Sequence, residues 1–387
     1  MSSDPFLEKF LSGTDKLILD NVKKFCERYL TDDVIKKIEE TDAIPNSIVE
    51  EAKNFGLFGI RIPAEYGGVG LDLLPSLIVQ EIISSYSLSV GVYLDQTLFV
   101  EPLKKYGTEE QKTRYLRKIV ERGVTTTSAM TEPEAGSDVL SITTQAVREG
   151  DGWRLNGRKT FITMGDQANL FIIFAKTSQR KDKDSLSAFL IEKGKRGLEI
   201  GQPIKKSGQL GTHINEIFLN DVFVDSNDVL GSIGQGYEIA MYSYYYGRLV
   251  VAAQALGLAE GLMRKSVNYS LIRNAFGQPI NKFQLIKDYL AKMDVMIETA
   301  KSMIYRTALF ENNPLFPEYS SISKLYATEV STDVARMAIK IHGGLGITYD
   351  AGIERALRDS VIQEIYEGTN EIQKLIISKS ATEKYKG

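Results

Sequence analysis

Apolar residues recur at helical spacing along the N-terminal third of the chain. Ile18, Val22 and Phe25 fall on one face and Ile48, Ala52 and Phe55 on another, with Gly56 placed to stop the second helix. In "GTEEQKTRYLRKIV", Thr108 and Gln111 have the spacing of a capping box. From about residue 126 the period changes to short β-branched and aromatic runs broken by turn signals such as "EGDGW" and the Asn156–Gly157 pair. Ile217 and Leu219, then Val222 and Val224, alternate as the arms of a half-buried hairpin would. After "GSIGQGYEIA" the helical period returns, through long segments around 237–273, 283–311 and 321–341. The expected order is therefore an N-terminal helical domain (1–125), a middle β domain (126–228) and a C-terminal helical domain (229–387).

"IYEGTNEIQK", residues 365–374, carries a second kind of signal. Ile372, Leu375 and Ile376 fall at i, i+3 and i+4, so a helix is expected with Thr369 or Asn370 as its N-cap. Glu367 then lies on the turn before that helix, either as a charge matched to the positive helix end or as a general base.

Composition narrows the chemistry. The 387 residues carry a formal charge of −3 with acids and bases interspersed, which leaves no basic field for nucleic acid or an anionic membrane. One cysteine, Cys26, rules out an internal disulfide framework, and with only His213 and His342 as histidines no metal site is expected. The N-terminus has no basic region followed by an apolar core, and no stretch approaches a membrane span; a cytoplasmic protein is expected. "GSIGQG" and "GGVGLD" lack the spacing of nucleotide-binding loops and are read as turns. Chemistry is left to carboxylates, arginines, hydroxyls or a borrowed cofactor.

Several stretches suit such a cofactor. "SAMTEPEAGSDV" opens the β domain with small residues and with Thr131 and Ser137 as hydrogen-bonding groups. In "NGRKTFITMGD", Phe161 and Thr163 are two apart in a strand, which suits a stacked heteroaromatic ring or ordinary packing. Arg273, Phe276 and Gln284 in "LIRNAFGQPINKFQ" suit a pyrophosphate with its adenine, or a helix C-terminus. Gly343 and Gly344 end a helix and permit close backbone approach.

Taken in order, "MTEPEAGSD", "GRKTFIT", "RNAFGQPINKFQ", "IHGGLGI" and "YEGTNEIQ" resemble the acyl-CoA dehydrogenase family over nearly the whole chain. The resemblance implies an α+β multidomain fold: an N-terminal helical domain, a middle β-sandwich or barrel and a C-terminal four-helix-bundle-like domain. It also implies non-covalent FAD and α,β-desaturation of a short- or medium-chain acyl-CoA to trans-2-enoyl-CoA. By similarity, Met130, Thr131 and Ser137 line the flavin or the CoA entrance, and Phe161 and Thr163 sit against the isoalloxazine, with Phe161 where the family usually has Trp. Arg273, Phe276 and Gln284 reach the FAD of a neighbouring subunit, Gly343 and Gly344 form its adenosine-side loop, and Thr369 and Glu371 close over the cofactor.

Glu367 is implied as the base, with Ser137, Tyr245, Arg248 and Tyr366 about the substrate. Some family members carry the base directly before the arginine matching Arg248; here that residue is Gly247, which favours Glu367. The resemblance further implies a homotetramer, as a dimer of dimers, and an electron-transfer flavoprotein as acceptor. A glutaryl-type enzyme would need an arginine where Ser89 stands, and a nitroalkane-type enzyme would use Asp as base. The remaining rivals are an acyl-CoA-oxidase-like flavoenzyme and a non-catalytic binding protein on the same scaffold.

Overall fold

Helix boundaries follow the local chemistry of the chain. A computed structural model describes residues 5–386; the start of the expected helical span, residues 1–4, lies outside them. The N-terminal helices are α1 (Pro5–Phe10), α2 (Gly13–Tyr29), α3 (Asp32–Thr41), α4 (Asn46–Asn54), α5 (Leu73–Ser84), α6 (Leu88–Leu94), α7 (Thr97–Tyr106) and α8 (Glu109–Arg122). The Thr108–Gln111 capping box forms on α8, and the Gln111 side chain also donates to the Asn227 and Val229 carbonyls, both at 2.8 Å. One residue thereby starts a helix and ties it to the next domain. Val22 and Phe25 on α2, and Ile48 and Ala52 on α4, are buried as their period requires.

The middle domain holds β1 (Thr126–Ala129), β2 (Gln145–Glu149), β3 (Gly152–Thr163), β4 (Leu170–Lys176), β5 (Leu186–Glu192), β6 (Leu198–Ile200), β7 (Ile214–Asp225) and β8 (Val229–Leu230). Its sheet runs β6-β7-β3-β2-β4-β5-β8, with β1 parallel to β4. β2 meets β4 through a single parallel pair, Gln145 with Lys176, and the two lobes fold over one shared core in which Trp153 packs near Phe189. Phe171 and Ile173 of β4 enter that core, whereas Leu170, Ile172 and Phe174 enter the helical core on the other face. Burial on both faces is why "LFIIFA" reads as a continuous apolar run.

The expected hairpin at 217–224 is instead one strand, β7. Its alternation changes phase because the register against β3 slips between Leu219 and Val222, and Asp221 takes a left-handed backbone (φ 52°). This is a β-bulge, and Asn156, expected in a turn, lies opposite it and exchanges hydrogen bonds with Asp221.

The C-terminal domain is built on α9 (Gly236–Ile272). A short hairpin of β9 (Asn274–Ala275) and β10 (Gln278–Pro279) follows, and then α10 (Gln284–Ala308), α11 (Phe316–His342), α12 (Ile353–Gln363) and α13 (Asn370–Tyr385). The middle of α9 is apolar all round because α5, α7, α10 and α11 enclose it. Gly247 and Arg248 therefore lie inside the molecule, facing the turn between α12 and α13.

Candidate active site

The turn from α12 to α13 is held from several sides. Thr369 caps α13 by accepting the Ile372 N–H at 3.3 Å, which decides between the two expected caps. Lys324 of α11, fully buried, donates to the Gly368 carbonyl at 3.1 Å and to Asn370 Oδ1 at 2.9 Å. Gln373 donates to the Gly368 carbonyl at 2.8 Å, and Thr332 to Glu364 at 2.6 Å. These bonds hold Glu367 in a left-handed backbone conformation (φ 55°), which a non-glycine residue adopts only when its surroundings impose it.

The Glu367 carboxylate points at α9. A Cβ placed on Gly247 would lie 2.8 Å from Glu367 Oε2 and 2.8 Å from Leu98 Cδ2, so the absence of a side chain at 247 makes the room that the carboxylate occupies. Oε2 is buried and has no hydrogen-bond partner among the described residues. Burial lifts the Glu367 pKa to about 7, Asp95 adds to the rise, and Arg248 and Lys324 oppose it. Burial also pushes the Lys324 amine down, to about 8, and lowers Arg248. Arg248 is buried, donates to Ser321 at 3.1 Å and lies over the Tyr245 ring at 5.7 Å. Tyr366 is half-buried with an unpartnered hydroxyl, and Tyr244 faces both Glu367 and Arg248. Glu367, Tyr366, Arg248 and Tyr245 are thus brought together.

Met130, Thr131, Phe161 and Thr163 form a second group on the middle domain. Thr160 N donates to the Thr131 carbonyl at 2.9 Å, Thr127 Oγ1 to the Thr163 carbonyl at 2.7 Å, and Lys159 Nζ to the Met130 carbonyl at 3.0 Å and to Glu132 at 2.8 Å. The register of β3 against β7 slips between Lys159 and Ile162, and there Phe161 takes φ 54° and stands 61% exposed beside buried Ile162. An aromatic ring held outward at a strained backbone position fits a planar cofactor better than it fits packing, because packing would bury the ring. Ser137 is exposed on the loop that follows Thr131.

A third group is separate from these. Arg273, Phe276, Gln284, Gly343 and Gly344 line one open cavity of about 520 Å³, to which none of the residues of the other two groups contributes. Phe276 is 97% exposed, again with a positive φ (50°). Glu371 lies exposed on the first turn of α13, beside the Thr369 cap.

Lys324 and Asp95 lie outside the motifs that the sequence displays, and those motifs do not show that Glu132 and Lys159 pair. Lys324 had a signal: it falls among Ser320, Ser323, Ala327 and Ser331 on the buried face of a helix, where a lysine needs a partner.

The structure thus holds a buried-oxygen carboxylate on the turn before α13 and, on the middle domain, an outward aromatic ring among hydroxyl residues. The chain matches the acyl-CoA dehydrogenase N-terminal domain over residues 12–122, the middle domain over 127–222 and the C-terminal domain over 234–382. It is 38% identical to the short-chain specific acyl-CoA dehydrogenase of Clostridium acetobutylicum, over 95% of this chain and 98% of that one. It is 36% identical, over 95% and 98%, to the CarC subunit of the caffeyl-CoA reductase–Etf complex of Acetobacterium woodii. The solved butyryl-CoA dehydrogenase of Megasphaera elsdenii superposes with a TM-score of 0.92 at 32% identity, covering 96% of this chain and 98% of the other. The chain belongs to the acyl-CoA dehydrogenase family, with its three-domain fold. It is a flavin oxidoreductase, and FAD is the cofactor of the family.

Proposed function

We propose that the protein desaturates a short- or medium-chain acyl-CoA to the trans-2-enoyl-CoA, with Glu367 as the base. The observation that carries this reading is the Glu367 carboxylate: buried, unpartnered at Oε2 and raised to about 7, it is basic enough to take a proton from a carbon activated by a thioester. No protein acceptor takes the Glu367 backbone N–H among the described residues, so this N–H is free to donate to the thioester oxygen and stabilise charge as the α-proton leaves. Lys324, Gln373 and Thr369 hold the loop so that both groups stay aimed at one substrate. FAD, when bound, supplies the acceptor for the β-hydride. Thr131, Phe161 and Thr163 would seat it, while Arg273, Phe276, Gln284, Gly343 and Gly344 would receive the FAD of a second copy. That division suits an assembly of at least two copies, and a homotetramer built as a dimer of dimers is the proposed form.

A cleft of about 900 Å³, lined by Tyr245 and Tyr242 and by Lys105, Arg180 and Lys183, suits the phosphates of a CoA thioester. An electron-transfer flavoprotein is the proposed acceptor, in keeping with the complex from which the CarC relative takes its name. The same relative supports a second reading, reduction of an enoyl-CoA. A carboxylate near 7 is divided between its two forms at neutrality and can return a proton as well as take one. Among the described residues no helix is long and apolar enough to cross a membrane.

The test is anaerobic mixing of the FAD-loaded protein with saturated acyl-CoAs while the oxidised flavin band is followed. Glu367→Gln is expected to retain FAD and to lose reduction by a factor of ~10³ or more. Near-normal bleaching by that variant would remove Glu367 from its role.

A further inference from the structure

His213 stands just before β7, and both of its ring nitrogens face acceptors. Nδ1 lies 2.7 Å from Asp166 Oδ2, and Nε2 lies 2.9 Å from the Asp42 carbonyl oxygen. A carboxylate and a carbonyl can only accept, and a neutral imidazole has a single N–H to give. The imidazolium has two, and satisfies both partners at once. Asp166 in turn depends on this ring: its Oδ1 is buried without a partner, and its one ion-pair partner among the described residues is His213.

These three residues join two domains at the end of the strand that carries Phe161 and Thr163. Asp42 closes α3 in a left-handed conformation (φ 49°), and its Oδ1 accepts the Gly211 N–H at 2.6 Å. Asp166 belongs to the turn that follows β3, and Thr163, the last residue of β3, pairs with Ile214 of β7. Met164, at φ 57°, donates its N–H to the His213 carbonyl at 2.6 Å, and Gln167 Oε1 accepts the His213 N–H at 2.9 Å. His213 thus holds the turn with its backbone and ties it to α3 with its ring. The left-handed Met164 and Phe161 persist because such contacts impose them.

The charged groups acting on the ring are Asp166 from the turn and Asp42 from the end of α3. Behind them, Lys193, after β5, donates to the Asp166 carbonyl, and Lys206, on the loop between β6 and β7, faces Asp42, Asp359 of α12 and Glu39 of α3. Burial works against a charged ring, but the bonds to Asp166 and to the Asp42 backbone outweigh it and raise the pKa above the ordinary 6.5. The bridge therefore contributes fully below 6.5 and is lost as pH rises through the raised value.

We propose that His213, as the imidazolium, is a positioning residue that clamps the turn after β3 to α3 and so keeps Phe161 and Thr163 set to receive FAD. This rests on the flavin seat of Thr131, Phe161 and Thr163 and adds its dependence on pH. When the ring loses a proton, one of its two acceptors is left without a donor, the turn loosens and FAD is held less tightly.

The test follows FAD release from the diluted holoenzyme by flavin fluorescence between about pH 6 and pH 9, beside Phe161→Ala as a check on the seat. The native protein is expected to hold FAD at least ~5-fold less tightly at the alkaline end, with a midpoint above 6.5. His213→Asn is expected to release FAD readily at every pH, with no midpoint. Asp166→Asn keeps an oxygen for Nδ1 but removes the charge that raises the ring, so the midpoint is expected to fall by about one pH unit. Lys206, brought down to about 8 by burial, titrates in the same window but has no bond to Asp166 among the described residues, so that fall assigns the midpoint to His213. Where Phe161→Ala releases FAD faster than the native protein, a flat native profile, the same profile in His213→Asn, or a midpoint unmoved by Asp166→Asn would each overturn the proposal. Where Phe161→Ala leaves FAD release unchanged, the seat reading falls instead, and hydrogen exchange at the Met164 N–H, corrected for the intrinsic rate, decides the clamp. Protection lost through the His213 midpoint keeps it, and protection constant with pH removes it.

Discussion

Replacing Glu367 by Gln has a consequence for stability that can be worked from the site. The carboxyl pKa rises from an ordinary 4.5 to about 7 on folding, chiefly through burial, with Arg248 and Lys324 already offsetting part of the cost. A raised acid pKa means that the folded state prefers the protonated form. The native protein therefore suffers no penalty below the unfolded value of 4.5, and progressively loses stability as pH climbs to about 7. At ~1.36 kcal/mol per pH unit the full penalty is ~3 kcal/mol, and solvent contact at this half-buried residue brings the expected value nearer ~2 kcal/mol. Gln has the shape of the protonated acid and does not titrate. The variant is therefore expected to match the native protein at about pH 4.5 and to exceed it by ~2 kcal/mol at about pH 8, the gap opening in between. Denaturant unfolding of both FAD-loaded proteins across that range measures it. Parallel curves, or a gap that widens as pH falls, would refute the claim that burial governs this carboxylate.

Three further outcomes follow from the same geometry. Gly247→Ala puts a Cβ 2.8 Å from Glu367 Oε2 and Leu98 Cδ2, so the rate of flavin reduction is expected to fall ~10²-fold with FAD retained; full activity would mean that the carboxylate does not rest on α9. Lys324→Met removes a cation that holds the Glu367 pKa down and strips Gly368 and Asn370 of a donor. The acid limb of the pH–rate profile is expected to move above about 7, and a limb that stays in place would separate Lys324 from the base. Arg273→Ala is expected to weaken FAD retention and the oligomer together, both read on gel filtration by flavin absorbance and elution volume; unchanged cofactor content would count against a cavity that receives a second copy's FAD.

How much could be read from the chain depended on the range of the interaction concerned. The Thr108–Gln111 cap and the ends of α9 are local properties, and the sequence displays them, whereas α10 ends at Ala308 and α11 starts at Phe316, each a few residues before the expected limit. Ile217 to Val224 show the limit: a phase change in alternation follows from a turn or from a bulge, and only pairing with β3 decides between them. Glu367 was legible as an acid on the turn before α13, but its basicity depends on Asp95, Arg248 and Lys324, which come from three other stretches of chain. Asp95 carries the point furthest. One of its oxygens accepts the Thr97 N–H at the start of α7, a local role. Its carboxylate also helps to raise the Glu367 pKa, although the two residues are far apart in sequence. That effect is set by the folded packing, so a local role already satisfied does not exhaust what a buried charge does.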